Sequence, residues 1–161
     1  MEIERKFLPK RLPNLSNTER TKYERYYLFI NDKIEIRIQK KAKSFELEYK
    51  VLKSNLSREN LQVKLTKKEF DKLKKDCKEK IIRESFKISR KPNITIKKYL
   101  GGFKGLYRIE VEFKSEKEAK KFKPLNWFGK EITNTSLGKD SKLIRLSDSQ
   151  FKNLLKELGK T

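Results

Sequence analysis

The chain has 161 residues, 43 Lys+Arg against 22 Asp+Glu for a formal charge of +21, and 35% hydrophobic residues. That length supports one domain, 1–161, and 10 Phe with 6 Tyr can build its core. With no histidine and a single cysteine, Cys77, it excludes a histidine base, a His-ligated zinc and an intramolecular disulfide, leaving carboxylates, lysines, arginines and an oxygen-ligated metal for chemistry.

Charged and apolar residues alternate along most of the chain, the pattern of strands with one face buried. Residues 1–7 put Glu2, Glu4 and Lys6 on one face. Residues 26–30 form an apolar second strand, and 34–39 set Glu35, Arg37 and Gln39 opposite three isoleucines. Residues 45–51 align Glu46, Glu48 and Lys50, and 58–65 align Arg58, Asn60, Gln62 and Lys64. A basic amphipathic helix over 67–79 follows the Thr66 cap. Strands resume at 82–88 (Arg83, Ser85, Lys87) and 94–100 (Thr95, Lys97, Tyr99), turn at Gly101-Gly102, and end with 107–113 (Arg108, Glu110, Glu112). A capping box at Ser115 opens a short helix stopped before Pro124, and 147–158 carry one apolar stripe that ends at Gly159. Trp127 and Phe128 read as core anchors, and Cys77 as inert.

Any one of these strands is explained by an antiparallel sheet with one wet face. Across the set, however, the polar faces are long charged residues of both signs rather than Thr, Ser and Gln. About eight antiparallel strands must also dispose of two edges, and closure does so. The expected fold is therefore α+β: a closed eight-stranded antiparallel β-barrel with a polar, charged lumen and amphipathic helices packed outside. Parity places seven acids in the lumen, Glu2, Glu4, Glu35, Glu46, Glu48, Glu110 and Glu112. It adds nine bases, Lys6, Arg37, Lys50, Arg58, Lys64, Arg83, Lys87, Lys97 and Arg108. In an up-and-down order the first and last strands are neighbours, which brings Glu2, Glu4, Glu110 and Glu112 together. Four carboxylates repel unless a cation joins them, and Mg²⁺ or Mn²⁺ suits oxygen ligands. Arginine forks and lysine charges across the lumen then suit phosphate oxygens.

The run Glu2-Ile3-Glu4-Arg5-Lys6 resembles the ExExK signature of the CYTH superfamily, the triphosphate tunnel metalloenzymes. Arg37, the Tyr49-Lys50 pair and the strand Ile109-Glu110-Val111-Glu112-Phe113 are similar to later strands of that family, and residues 124–133 to its P-x-W-x-G-x-E-V-T segment. The resemblance implies an eight-stranded tunnel, a triphosphate held by bases, and divalent metal held by glutamates. The family's activities are hydrolysis of inorganic, thiamine or nucleoside triphosphates or RNA 5′-triphosphate ends, and cyclisation of ATP. Carried onto this chain, the catalytic set is Glu4, Lys6, Glu110 and Glu112. The phosphate-binding set is Lys6, Arg37, Lys50, Arg58 and Arg83, and the metal set is Glu2, Glu4, Glu110 and Glu112. The sequence departs from the family pattern at Gln39 and Ser85, where bases are usual, and at Asn60, Gln62 and Lys97, where acids are usual. Parity makes Glu46 and Glu48 possible substitutes for those acids.

The expected function is metal-dependent hydrolysis of a small triphosphate, inorganic tripolyphosphate or a nucleoside triphosphate. A degenerate tunnel that binds triphosphate, polyphosphate or nucleotide without efficient turnover is the alternative, and adenylate cyclase a more distant one. The partner is a small anion. The lysine run from Lys72 to Lys80 reads as a solvated helix face, with a nucleic-acid surface the less favoured reading. No apolar run approaches the ~20 residues of a membrane span and none follows Met1 as a signal peptide would, so the expected location is the cytoplasm. Oligomeric state stays open.

Overall fold

A computed structural model describes residues 1–160. The alternating segments form β1 (Glu2–Pro9), β2 (Arg20–Ile30), β3 (Ile34–Lys41), β4 (Ser44–Leu52), β5 (Ser57–Leu65), β6 (Lys80–Arg90), β7 (Asn93–Tyr99), β8 (Tyr107–Glu112) and β9 (Phe128–Glu131). The helices are α1 (Lys67–Lys74), α2 (Glu116–Lys121), α3 (Asp140–Leu143) and α4 (Asp148–Leu158). Strands β5, β4, β3, β2, β6, β7, β8 and β1 are hydrogen-bonded in that order, all antiparallel. Strand β5 returns to β1 through Glu2↔Arg58 and Ile3↔Ser57, closing an eight-stranded barrel, and β9 extends the sheet beside the far half of β1. The first and last of the eight expected strands are neighbours, paired as Glu4↔Glu112 and Lys6↔Glu110. The order is not up-and-down, because β2 pairs with β6 and β1 with β5.

Strand parity divides the barrel into a charged inside and an apolar outside, and the helices cover part of that outside. Phe70 of α1 is buried against Tyr26 and Ile38. Around α2, Phe7, Phe86, Ile96, Ile109 and Phe128 form a second cluster, with Trp127 packed against it as an anchor. The third cluster joins Tyr27, Ile81 and Tyr99 to Leu137 and Leu143 of the C-terminal segment and to Phe151 and Leu158 of α4. Tyr27, Ile81 and Tyr99 share strand faces with Arg37, Arg25 and Arg83, so the C-terminal segment fills that part of the barrel end.

Several local expectations need correction. Strand β2 begins at Arg20 rather than at residue 26, because its first half carries Lys22, Glu24 and Arg25 instead of an apolar face. Helix α1 stops at Lys74, since Leu73 is its last apolar anchor and Lys74, Lys75 and Asp76 follow. Strand β9 and helix α3 were too short to register as periodic segments. Helix α1 covers only the Leu65 end of the outer face of β5: Leu61 and Val63 are exposed. Among the described residues no helix is long and apolar enough to cross a membrane.

Candidate active site in the barrel lumen

The lumen holds a cavity of about 420 Å³ lined by nine bases and seven acids, a balance of +2. Those totals match the parity count, but the membership differs. Lys64 and Lys87 are absent from the lining, the first exposed on β5 and the second hydrogen-bonded to Asn93. Glu35 faces a second cavity of about 380 Å³ at the barrel end, beside Lys50, Arg58, Lys139 and Lys142. Arg25, Lys41 and Asp140 enter the lumen lining in their place. Every residue of the expected catalytic, metal and phosphate-binding sets lines this cavity, as do Glu46 and Glu48.

The bases are held by acids. Arg37, 3% exposed, lies 3.3 Å from Glu48 and 3.5 Å from Glu35. Burial alone would raise the Glu48 carboxyl, but Arg37, Arg25 and Lys50 together hold it well below the usual range. Lys50 donates to both oxygens of Glu2 at 2.8 and 2.9 Å, and Arg58 sits 3.5 Å from Glu35. Lys6 lies 3.2 Å from Glu4; burial, with Arg108 and Arg58 adding to it, pushes its ammonium down to about 8. Glu110 is ringed by Arg108 at 2.6 Å, Lys97 at 3.7 Å and Arg83 at 3.9 Å. Against burial, these bases and Lys6 hold its carboxyl well below the ordinary value. Burial also brings Lys97 down to about 7, with Arg83 reinforcing the effect.

Three departures from the family pattern have a counterpart on the adjacent strand. Gln39 is the cross-strand partner of Arg25 and accepts from its Nε at 2.6 Å. Ser85 is the partner of Lys97 and accepts from its Nζ at 2.7 Å. Gln62 is the partner of Glu48 and donates to it at 3.5 Å. The charge expected at each position is carried one strand over, on the same face. Strand parity held this signal for Lys97 and Glu48. Arg25 was missed because the first half of β2 does not alternate.

The four expected metal ligands fare unequally. As the side chains lie, no group of three or more acids among the described residues is placed to hold a metal ion. Glu4 and Glu112 are nevertheless direct cross-strand partners. Burial and then repulsion from Glu4 and Glu2 raise the Glu112 carboxyl, the signature of crowded acids that a cation relieves. Of the four expected ligands, Glu4 and Glu112 thus crowd one another in the way a cation relieves, whereas Glu2 gives both oxygens to Lys50 and Glu110 is already neutralised by the bases around it. Glu46 accepts from Gln39 and Glu48 is committed to Arg37, so neither is a free ligand.

One acid was not anticipated. Asp140 of α3 is buried inside the barrel, 2.9 Å from Arg25 and 3.1 Å from both Arg83 and Arg108. Its Oδ1 accepts from the Tyr99 hydroxyl at 2.5 Å. It lies in a helix of four residues, too short to show periodicity, where no sequence signal marks an inward carboxylate.

Fold and site together define a closed antiparallel barrel with a nearly neutral, densely charged tunnel. No family model matches the chain. An inorganic triphosphatase of Nitrosomonas europaea is 26% identical over 145 residues, covering 88% of this chain and 95% of that protein. Among solved structures, an inorganic triphosphatase superposes with a TM-score of 0.64 at 24% identity, over 91% of this chain and 99% of its own. A Pyrococcus horikoshii protein gives 0.57 at 17% identity, over 75% and 84%. Both share the barrel fold.

Proposed function

We propose that this chain is a divalent-metal-dependent hydrolase of inorganic tripolyphosphate, a member of the CYTH superfamily of triphosphate tunnel enzymes. The observation that carries the proposal is the lumen itself. Seven buried bases, Lys6, Arg25, Arg37, Lys50, Arg83, Lys97 and Arg108, converge on one cavity with three crowded carboxylates beside them. The similarity to an inorganic triphosphatase along most of both chains supports the same substrate. Arg37, Lys50, Arg58 and Arg83 would bind the phosphate oxygens, exchanging carboxylate partners for phosphate. Lys6 and Arg108 would hold the terminal phosphoryl group. Glu2, Glu4 and Glu112 would hold Mg²⁺ or Mn²⁺, which supplies charge neutralisation and polarisation of a phosphoryl oxygen. Phosphoryl transfer depends on positioning and charge stabilisation, so a chain without histidine is equipped for it. The cross-strand replacements at Gln39, Ser85 and Gln62 favour this reading over a degenerate tunnel, because the charge usual at each of these three positions is carried by its partner on the adjacent strand.

The test is phosphate release from tripolyphosphate and from ATP, with Mg²⁺, Mn²⁺ or chelator, in the wild type and in Glu4→Gln. Metal-dependent release from tripolyphosphate that Glu4→Gln abolishes is expected. Binding without release would favour a capture protein, and cyclic AMP from ATP would point to a cyclase.

A further inference from the structure

The lumen contains three arginines, Arg25, Arg83 and Arg108, that come from three different strands and meet at one carboxylate. Their side chains are no more than 8% exposed. Like charges this close repel, and in a buried site each would turn towards whatever acid or carbonyl is nearest. Asp140 prevents that. Its Oδ2 takes Nη1 of Arg25 and Nη1 of Arg83, and its Oδ1 lies against Nη1 of Arg108 while accepting the Tyr99 O–H. Tyr99 in turn accepts from Arg83 Nη1 at 3.2 Å. Burial disfavours the charge on Asp140, but the three guanidiniums hold it ionised.

The clamp does not consume Arg83, although Arg108 is fully engaged, its Nε and Nη2 meeting Glu110. The Nε–H of Arg83 is buried and has no hydrogen-bond partner among the described residues. A buried, charged donor left unpaired is costly unless a ligand completes it. The carboxylate itself is not free to leave. Leu137 and Leu143, on either side of it, are fully buried, and Arg108 Nη1 also donates to the Leu137 carbonyl at 3.2 Å.

We propose that Asp140 is a positioning residue. The C-terminal segment inserts one carboxylate behind Arg25, Arg83 and Arg108, fixing their forks so that the donors left over form a preset cradle for phosphate oxygens. The idea rests on the lumen being the triphosphate site. It makes a prediction opposite in sign to a simple charge argument. Asp140→Asn raises the lumen's charge by one, which by attraction alone tightens anion binding. Loss of the clamp instead lets the arginines turn to Glu110 and Glu48 and weakens it.

The experiment is calorimetric titration of tripolyphosphate into the full chain, without divalent metal, at a temperature where melts show each variant folded. Asp140→Asn is expected to weaken binding by about tenfold or more, and Asp140→Glu, which keeps the charge, to recover part of the loss. Unchanged or tighter binding in Asp140→Asn overturns the proposal. Should Asp140→Asn not fold, the double variant Arg25→Gln with Asp140→Asn removes one charge of each sign. It is expected to bind more weakly than Arg25→Gln alone, and equal affinity overturns the proposal. Since the readout is affinity, a wild type that binds tripolyphosphate but never cleaves it contradicts the hydrolase reading and not the role of Asp140.

Discussion

Glu110 is a heavily neutralised acid of the lumen, and Glu110→Gln tests whether its charge is structural. The carboxylate is 11% exposed and lies 2.6 Å from Arg108, 3.7 Å from Lys97 and 3.9 Å from Arg83. The amide keeps the shape but leaves these bases facing one another without their common anion. Breaking a buried pair by removing one partner costs about 3–5 kcal/mol. For a chain of this size that corresponds to a fall in Tm of about 6–20 °C. Because the folded carboxyl is held below its ordinary value, its contribution is complete above the usual carboxylate range and fades as pH falls through the folded-state value. The assay is thermal and urea unfolding followed by circular dichroism at neutral and acidic pH, with and without tripolyphosphate. The variant should lose stability at neutral pH, lose less on acidification than the wild type, and gain more from tripolyphosphate, whose oxygens take over the stranded bases. A loss under about 1 kcal/mol, the worth of an exposed pair, refutes the reasoning.

Other outcomes follow from the same geometry. Lys97, at about 7, and Lys6, at about 8, have folded-state values below the ordinary lysine value of 10.5, so the unfolded chain binds more protons between these limits. Stability should therefore rise with pH from about 7 towards 10, and Lys97→Met should flatten that rise in unfolding titrations. Arg37→Ala should weaken tripolyphosphate binding about tenfold or more, whereas Lys74→Ala on the outside of α1 should change it less than about threefold; equal losses in a binding titration would contradict a tunnel site. In Gly138→Ala the added Cβ would stand 2.1 Å from the Ile132 carbonyl oxygen, so the backbone that leads into α3 must shift. Overpacking of this kind costs about 1–3 kcal/mol, and it should weaken tripolyphosphate binding in the same direction as Asp140→Asn, since Asp140 rides on that segment.

The barrel was legible because its strands are two-faced at period two. Glu2-Ile3-Glu4 and Ile109-Glu110-Val111-Glu112 declare both the strand and the face, and the inward residues follow by counting. The same counting overreached where the inward face of a strand runs past the cavity, as at Lys64, the partner of Glu46. Lys64 is exposed near the end of β5, and Lys87 sits at the register shift of β6 against β7. Arg25 was lost because the first half of β2 carries polar residues on both faces. The metal set was legible as four carboxylates on two neighbouring strands, but whether each is free was not, since that depends on which bases the other strands bring within reach.

Local pattern alone therefore determined the class of fold, the charged character of the lumen and most of its members, since alternation is a property of adjacent residues. It also showed that the charge of +21 cannot be the tunnel's, because the inward positions nearly cancel. Only the tertiary structure decided which charges meet. Cross-strand register set Arg25 against Gln39 and Lys97 against Ser85, and the burial of Leu137 and Leu143 carried Asp140 to three arginines. Those contacts join residues up to 115 positions apart. Coulomb energy depends on separation in space, which no local pattern in the chain encodes.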